Sequence, residues 1–114
     1  MVILKLIMIV LVITGGNIDP NLVSRIIDRG LVRTGRRLRL NVIVKDQPGS
    51  LARLTNIIAQ EGANILQTIH DRNAPSTLID ETDIQFTLET KGEDHAKKVT
   101  DQLRKIATRV EIAQ

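Results

Sequence analysis

The chain has 114 residues, 42% of them hydrophobic, which suffices for one domain or one domain with a fragment of another. Cysteine, tryptophan and tyrosine are absent and Phe86 is the only aromatic residue, so the core is aliphatic; disulfides, thiolate metal sites and cysteine nucleophiles are excluded. The formal charge of +3 permits a polyanionic partner without demanding one, and His70 and His95 lie too far apart in sequence to suggest a ligand cluster.

Residues 1–13, MVILKLIMIVLVI, are apolar apart from Lys5 and too few to span a bilayer. They lack the basic start and small-residue cleavage site of a signal peptide. The expectation is a fully buried strand of the kind used in parallel sheets, in a cytoplasmic chain without a membrane partner. Asp19 then suits a helix N-cap and Pro20 the first helical position. Leu22, Val23, Ile26, Ile27 and Leu31 recur at helical spacing, and the stretch from Gly30 to Gly35 ends the element. Residues 1–35 thus read as strand, glycine turn and helix. Arg33, Arg36, Arg37 and Arg39 follow closely; with no aromatic residue to stack a base, they are expected to form a solvated linker, not a nucleic-acid site.

From Leu38 the pattern strengthens. Leu38, Leu40, Val42 and Val44 alternate as one face of a strand. Gln-Pro-Gly-Ser turns the chain into a helix with Leu51, Leu54, Ile57 and Ile58 as its apolar stripe, and Gly62 is placed to end it. A second strand spans 63–72, and a third presents Ile84, Phe86 and Leu88 inward. A second helix carries Ala96, Val99, Leu103 and Ile106 on its buried face, and RVEI forms a fourth strand. The order βαββαβ predicts an α+β, ferredoxin-like fold: a four-stranded antiparallel sheet in spatial order four, one, three, two, with two helices on one face.

This plan hosts many functions, so local chemistry must choose among them. A base-stacking RNA module would need sheet aromatics beyond the inward-facing Phe86, a copper chaperone a Cys-x-x-Cys, and an acylphosphatase an arginine-bearing anion loop; none is present. Asp46, Pro48, Gly49 and Leu51, with Gly62, Asn64 and Ile65 farther on, resemble the signature of the ACT family of regulatory domains, over residues 38–113. The resemblance implies a domain that binds an amino acid, with Asp46, Gln47, Pro48, Gly49, Ser50, Leu51, Asn64 and Ile65 as effector-binding residues. Gly49 lets a ligand approach the backbone, the first N–H groups of the helix suit its carboxylate, and Asp46 suits its ammonium. An ordinary strand-to-helix turn is the plainer reading of Pro48-Gly49 taken alone.

Thr14-Gly-Gly-Asn and the helix after it resemble the segment that closes the catalytic domain of threonine dehydratases and related pyridoxal-phosphate enzymes of fold type II. There a hydroxyl in the turn meets the pyridine nitrogen, a position Thr14 occupies here, and His70-Asp71-Arg72 is also typical of members with a regulatory domain. The resemblance implies that residues 1–35 are a strand–turn–helix remnant of an α/β catalytic domain and 36–114 the ACT domain, the whole being a C-terminal piece of such an enzyme. The imine-forming lysine and the glycine-rich phosphate loop have no counterpart, so this chain alone is expected neither to be an enzyme nor to hold a cofactor; pyridoxal phosphate would belong to the full-length protein. Expected partners are isoleucine, valine or threonine, a pyridoxal-phosphate catalytic domain, and a second copy paired through the edge strand at 65–72. A free-standing regulatory subunit and a purely structural dimerisation domain are the alternatives.

Overall fold

The computed structural model describes residues 5, 8, 9, 19–73 and 78–113. The chain divides into two compact units, Met1–Thr34 and Gly35–Gln114. In the first, α1 spans Pro20–Arg33, opened as the sequence predicts: Asp19 is the N-cap, its carboxylate accepting the Asn21 N–H at 3.0 Å, and Pro20 begins the helix. The apolar stripe is only partly covered, with no residue of α1 fully buried and Leu22 exposed.

Most of the strand expected over residues 1–13, and Thr14 with its glycine turn, lie outside the described residues. Lys5, Met8 and Ile9 are described, and they correct that expectation: their backbone is helical and all three are exposed. A short apolar run does not distinguish strand from helix by periodicity, and a helix satisfies its backbone without a pairing partner.

The second unit contains β1 (Arg37–Lys45), α2 (Ser50–Gln60), β2 (Asn64–Asp71), β3 (Glu81–Glu89), α3 (Glu93–Arg104) and β4 (Arg109–Ala113). The sheet order is β2-β3-β1-β4, and all three pairings are antiparallel. Leu38, Leu40, Val42 and Val44 of β1 meet Ile84, Phe86 and Leu88 of β3, with Leu54 and Ile58 of α2 and Ala96, Val99 and Leu103 of α3 packed on them. That alternation fixes the register, because a slip by one residue would turn the aliphatic set toward water. Gly62 adopts φ +76° after α2, and Ala63 N–H donates to the Ile58 carbonyl at 3.1 Å, closing the helix as a glycine C′ position does.

Three details differ from the periodic pattern. Arg37 and Arg39 belong to β1, opposite Glu89 and Thr87, and are half-buried and engaged, so the basic cluster is not a solvated linker throughout. Ile106 lies beyond the end of α3 and is exposed. Ile43 and its register partner Asp83 are buried although they sit on the face opposite the helices. Burial raises the Asp83 carboxyl above its ordinary value, the nearby Asp71 and Glu111 charges raise it further, and Arg109 opposes the shift.

Candidate functional site

The site is built where β1 runs into α2. Asp46 N–H donates to the Asp80 carbonyl at 2.8 Å and Gln47 N–H to the Lys45 carbonyl at 3.0 Å, which fixes the start of the loop. Gly49 takes φ +87°, a left-handed conformation that a Cβ disfavours, and its carbonyl accepts the Arg53 N–H at 3.0 Å to start the helix. Ser50 is buried; its hydroxyl donates to the Lys45 carbonyl at 2.8 Å and its N–H to the Gln47 carbonyl at 3.2 Å. These bonds make the loop rigid from within.

Helix α2 begins without a side-chain cap and without an acidic residue in its first turn. Ser50 N–H is therefore committed inside the loop, whereas those of Gly49 and Leu51 meet no backbone carbonyl among the described residues. The positive end of the helix dipole is left facing a space suited to an anion. A Cβ built on Gly49 would meet nothing within 4 Å, so that approach is open.

Asp46, Gln47, Pro48, Gly49, Ser50 and Leu51 all line one cavity of about 380 Å³. The register adds His70, Arg72, Thr82 and Ile84 to its wall. Arg72 is the residue that sequence reasoning missed: its Nε lies 3.1 Å from Oδ2 of Asp46. The tripeptide His70-Asp71-Arg72 was its only signal, and nothing in the linear pattern brings the end of β2 beside the loop after β1. Asn64 and Ile65 are not part of this cavity. They pair with Glu89 and Leu88 at the far end of β2, about 23 Å from Asp71 at the usual strand rise.

A family model for the ACT domain matches residues 38–108. The chain belongs to the ACT domain family. Domains of this family sense amino acids and regulate the enzymes that contain them, and this one is homologous to regions of L-threonine ammonia-lyases. It is 42% identical to the enzyme of Thermotoga maritima over 80% of this chain and 23% of that protein. The identity to the Geobacter sulfurreducens enzyme is also 42%, over 90% of this chain and 26% of the relative. The chain thus spans about a quarter of the length of these relatives. Among solved structures, the ACT domain of the GTP pyrophosphokinase from Chlorobium tepidum superposes with a TM-score of 0.55 at 20% identity, covering 68% of this chain and 96% of that one.

Relatives of this kind imply pyridoxal phosphate in the full-length enzyme, a group that needs an imine-forming lysine beside a cradle of glycine amides. The surroundings of Lys45 do not fit it. Lys45 lines a second cavity, of about 150 Å³, with Gln47, Arg53 and Ile106, a setting without such a cradle. Among the described residues no group of histidine or acidic side chains is placed to hold a metal ion, and no helix is long and apolar enough to cross a membrane.

Proposed function

We propose that this ACT domain binds a free α-amino acid at the N-terminus of α2 and thereby regulates a threonine ammonia-lyase, the pyridoxal-phosphate enzyme that converts L-threonine to 2-oxobutanoate and ammonia. The observation that carries this reading is the cavity itself: six consecutive residues, Asp46 to Leu51, surround an uncapped helix N-terminus with open space above Gly49. The ligand carboxylate takes the free N–H groups of Gly49 and Leu51, and the ammonium goes to Asp46. Isoleucine, valine and threonine are the proposed effectors. Residues 1–35 are proposed to belong to the catalytic domain, with Thr14 as the hydroxyl directed at the pyridine nitrogen. The chemistry of the parent enzyme is assigned to residues outside this chain.

Asn64 and Ile65 enter through a second copy. Strand β2 is an edge with Leu66 and Ile69 exposed and unpaired backbone along one side. A two-fold antiparallel pairing of β2 with itself carries Asn64 of one copy toward the Asp71 end of the other, beside its cavity. Regulation then follows if the ligand prefers one arrangement of the two copies.

Thermal unfolding of the protein with each of the twenty amino acids tests the reading. A ligand that binds only the folded chain raises the midpoint in proportion to the logarithm of its concentration. A rise confined to branched or β-hydroxylated amino acids is expected, and no rise with any amino acid overturns the proposal. The exposed β2 edge also favours a second reading, a dimerisation domain with an empty cavity. Thr68→Pro, which removes one ladder donor, separates the two when followed by sedimentation: a dimer lost together with amino-acid binding supports a shared site.

A further inference from the structure

We propose that Arg72 and Asp46 form a receptor for a zwitterion, with Arg72 as a specificity-determining residue that takes the ligand carboxylate while Asp46 takes the ammonium. This rests on the amino-acid-binding reading above and adds to it the basis on which amino acids are told from acids and amines. The bridge joins Nε of Arg72 to Oδ2 of Asp46 at 3.1 Å, and the guanidinium has two further nitrogens and the carboxylate a second oxygen with which to meet a ligand. Both residues line the cavity beside Gly49.

Exposed pairs of this kind contribute little to stability: the Arg72 side chain is 66% exposed and that of Asp46 33%. The backbone that carries each is nevertheless anchored. Asp46 N–H donates to the Asp80 carbonyl at 2.8 Å. On the other side, the Asp71 carbonyl accepts from the Thr82 hydroxyl at 3.2 Å and the Asp71 carboxylate from the Asn73 N–H at 2.9 Å, fixing the turn that carries Arg72. The pair therefore stands as a dipole at the cavity wall, carried on fixed backbone.

An α-amino acid is a dipole of matching size, its two charges about 3 Å apart, the length of an N–H···O contact. Docked antiparallel, the two dipoles give every charge two opposite neighbours, and the Arg72–Asp46 bond need not break. One carboxylate oxygen then meets the planar guanidinium and the other the free N–H groups of α2. A ligand with only one of the two charges leaves one member of the pair without its second partner and is bound less well.

The test is calorimetric titration of the full chain with L-isoleucine, 3-methylpentanoate (no amine) and 2-methylbutylamine (no carboxylate). The wild-type chain is expected to bind L-isoleucine at least tenfold more tightly than either analogue. Arg72→Gln should weaken L-isoleucine about tenfold and lose most of the preference over the amine, while keeping the preference over the acid. Asp46→Asn should do the reverse, and Arg72→Lys, a point charge without the fork, should fall between. Unchanged melting temperatures of the variants show that folding is not the cause. Arg72→Gln that binds L-isoleucine with wild-type affinity overturns the role of Arg72 and leaves amino-acid binding standing. A wild-type chain that binds no amino acid overturns both.

Discussion

Helix α2 begins after Gly49 and α3 after Gly92, and neither N-terminus receives a side-chain cap. Their first turns are nonetheless treated differently. At α3, Glu93 and Asp94 place carboxylates against the positive end of the dipole, and the Gly35 backbone packs so closely that a Cβ there would lie 2.6 Å from Glu93 N. At α2 the first turn has no acid and the space over Gly49 is empty. Helix α1 follows the first pattern, using Asp19 as its own cap. The comparison identifies α2 as the helix start whose electrostatic demand its own sequence leaves unmet, and that is the one beside the cavity.

The same substitution at two glycines should break the comparison most sharply. Both Gly35 and Gly49 have left-handed φ, so alanine strains either backbone by about 1–2 kcal/mol. At Gly35 the new methyl also meets the Glu93 backbone, and overpacking adds about 1–3 kcal/mol. Gly35→Ala is expected to destabilise strongly in denaturant unfolding, and Gly49→Ala by the backbone share alone while weakening amino-acid binding. Equal losses of stability would show that the two helix starts are packed alike. Next in size, Asp46→Ala should weaken amino-acid binding by about 1.5–3 kcal/mol if its carboxylate holds a charged amine, measured by titration calorimetry.

A smaller effect is expected on giving α2 an acid of its own. Ala52→Glu adds a carboxylate in the first turn, which should stabilise the fold by about 0.3–1 kcal/mol and weaken amino-acid binding by up to about fivefold. Binding that is indifferent to this charge would argue against an anion at the helix start.

The residues that frame this comparison were legible to different degrees. The β1 and β3 alternation, the α2 stripe, the Asp19 cap and Gly62 could all be read directly, since each is a local rule acting on neighbouring residues. The Asp46–Leu51 loop was legible as a turn from Pro48-Gly49 alone, and as a candidate site only through its resemblance to the ACT signature. Arg72 was not, because it meets Asp46 only through the β2–β3–β1 register, a long-range fact with no periodic trace. Ile43 and Asp83 escaped for a related reason: a period of two marks one face of a sheet and is silent on what covers the other. The helical backbone at Lys5, Met8 and Ile9 was missed because a short apolar run carries no strand signature of its own.

Asp83 gives the smallest predicted effect, on the sheet face opposite the helices. Its carboxyl is raised above the ordinary value by burial and by Asp71 and Glu111, and its Oδ1 has no hydrogen-bond partner. Since the folded chain holds this proton more tightly than the unfolded one, the group's contribution to stability falls as pH rises from the unfolded value of 3.8 through the raised folded one. Asp83→Asn, which removes a like charge directly opposite Asp71, should therefore stabilise the protein by about 0.2–1 kcal/mol at neutral pH. The gain should vanish when melting is measured below that window, and amino-acid binding should not change.

Amide chemical shifts recorded during titration with L-isoleucine test the central claim most directly. The account predicts that the N–H signals of Gly49, Ser50 and Leu51 move together and saturate, while those of Glu93 and Asp94 at the other glycine-started helix stay in place. Saturable shifts at Glu93 and Asp94 with none at Gly49 to Leu51 would contradict it.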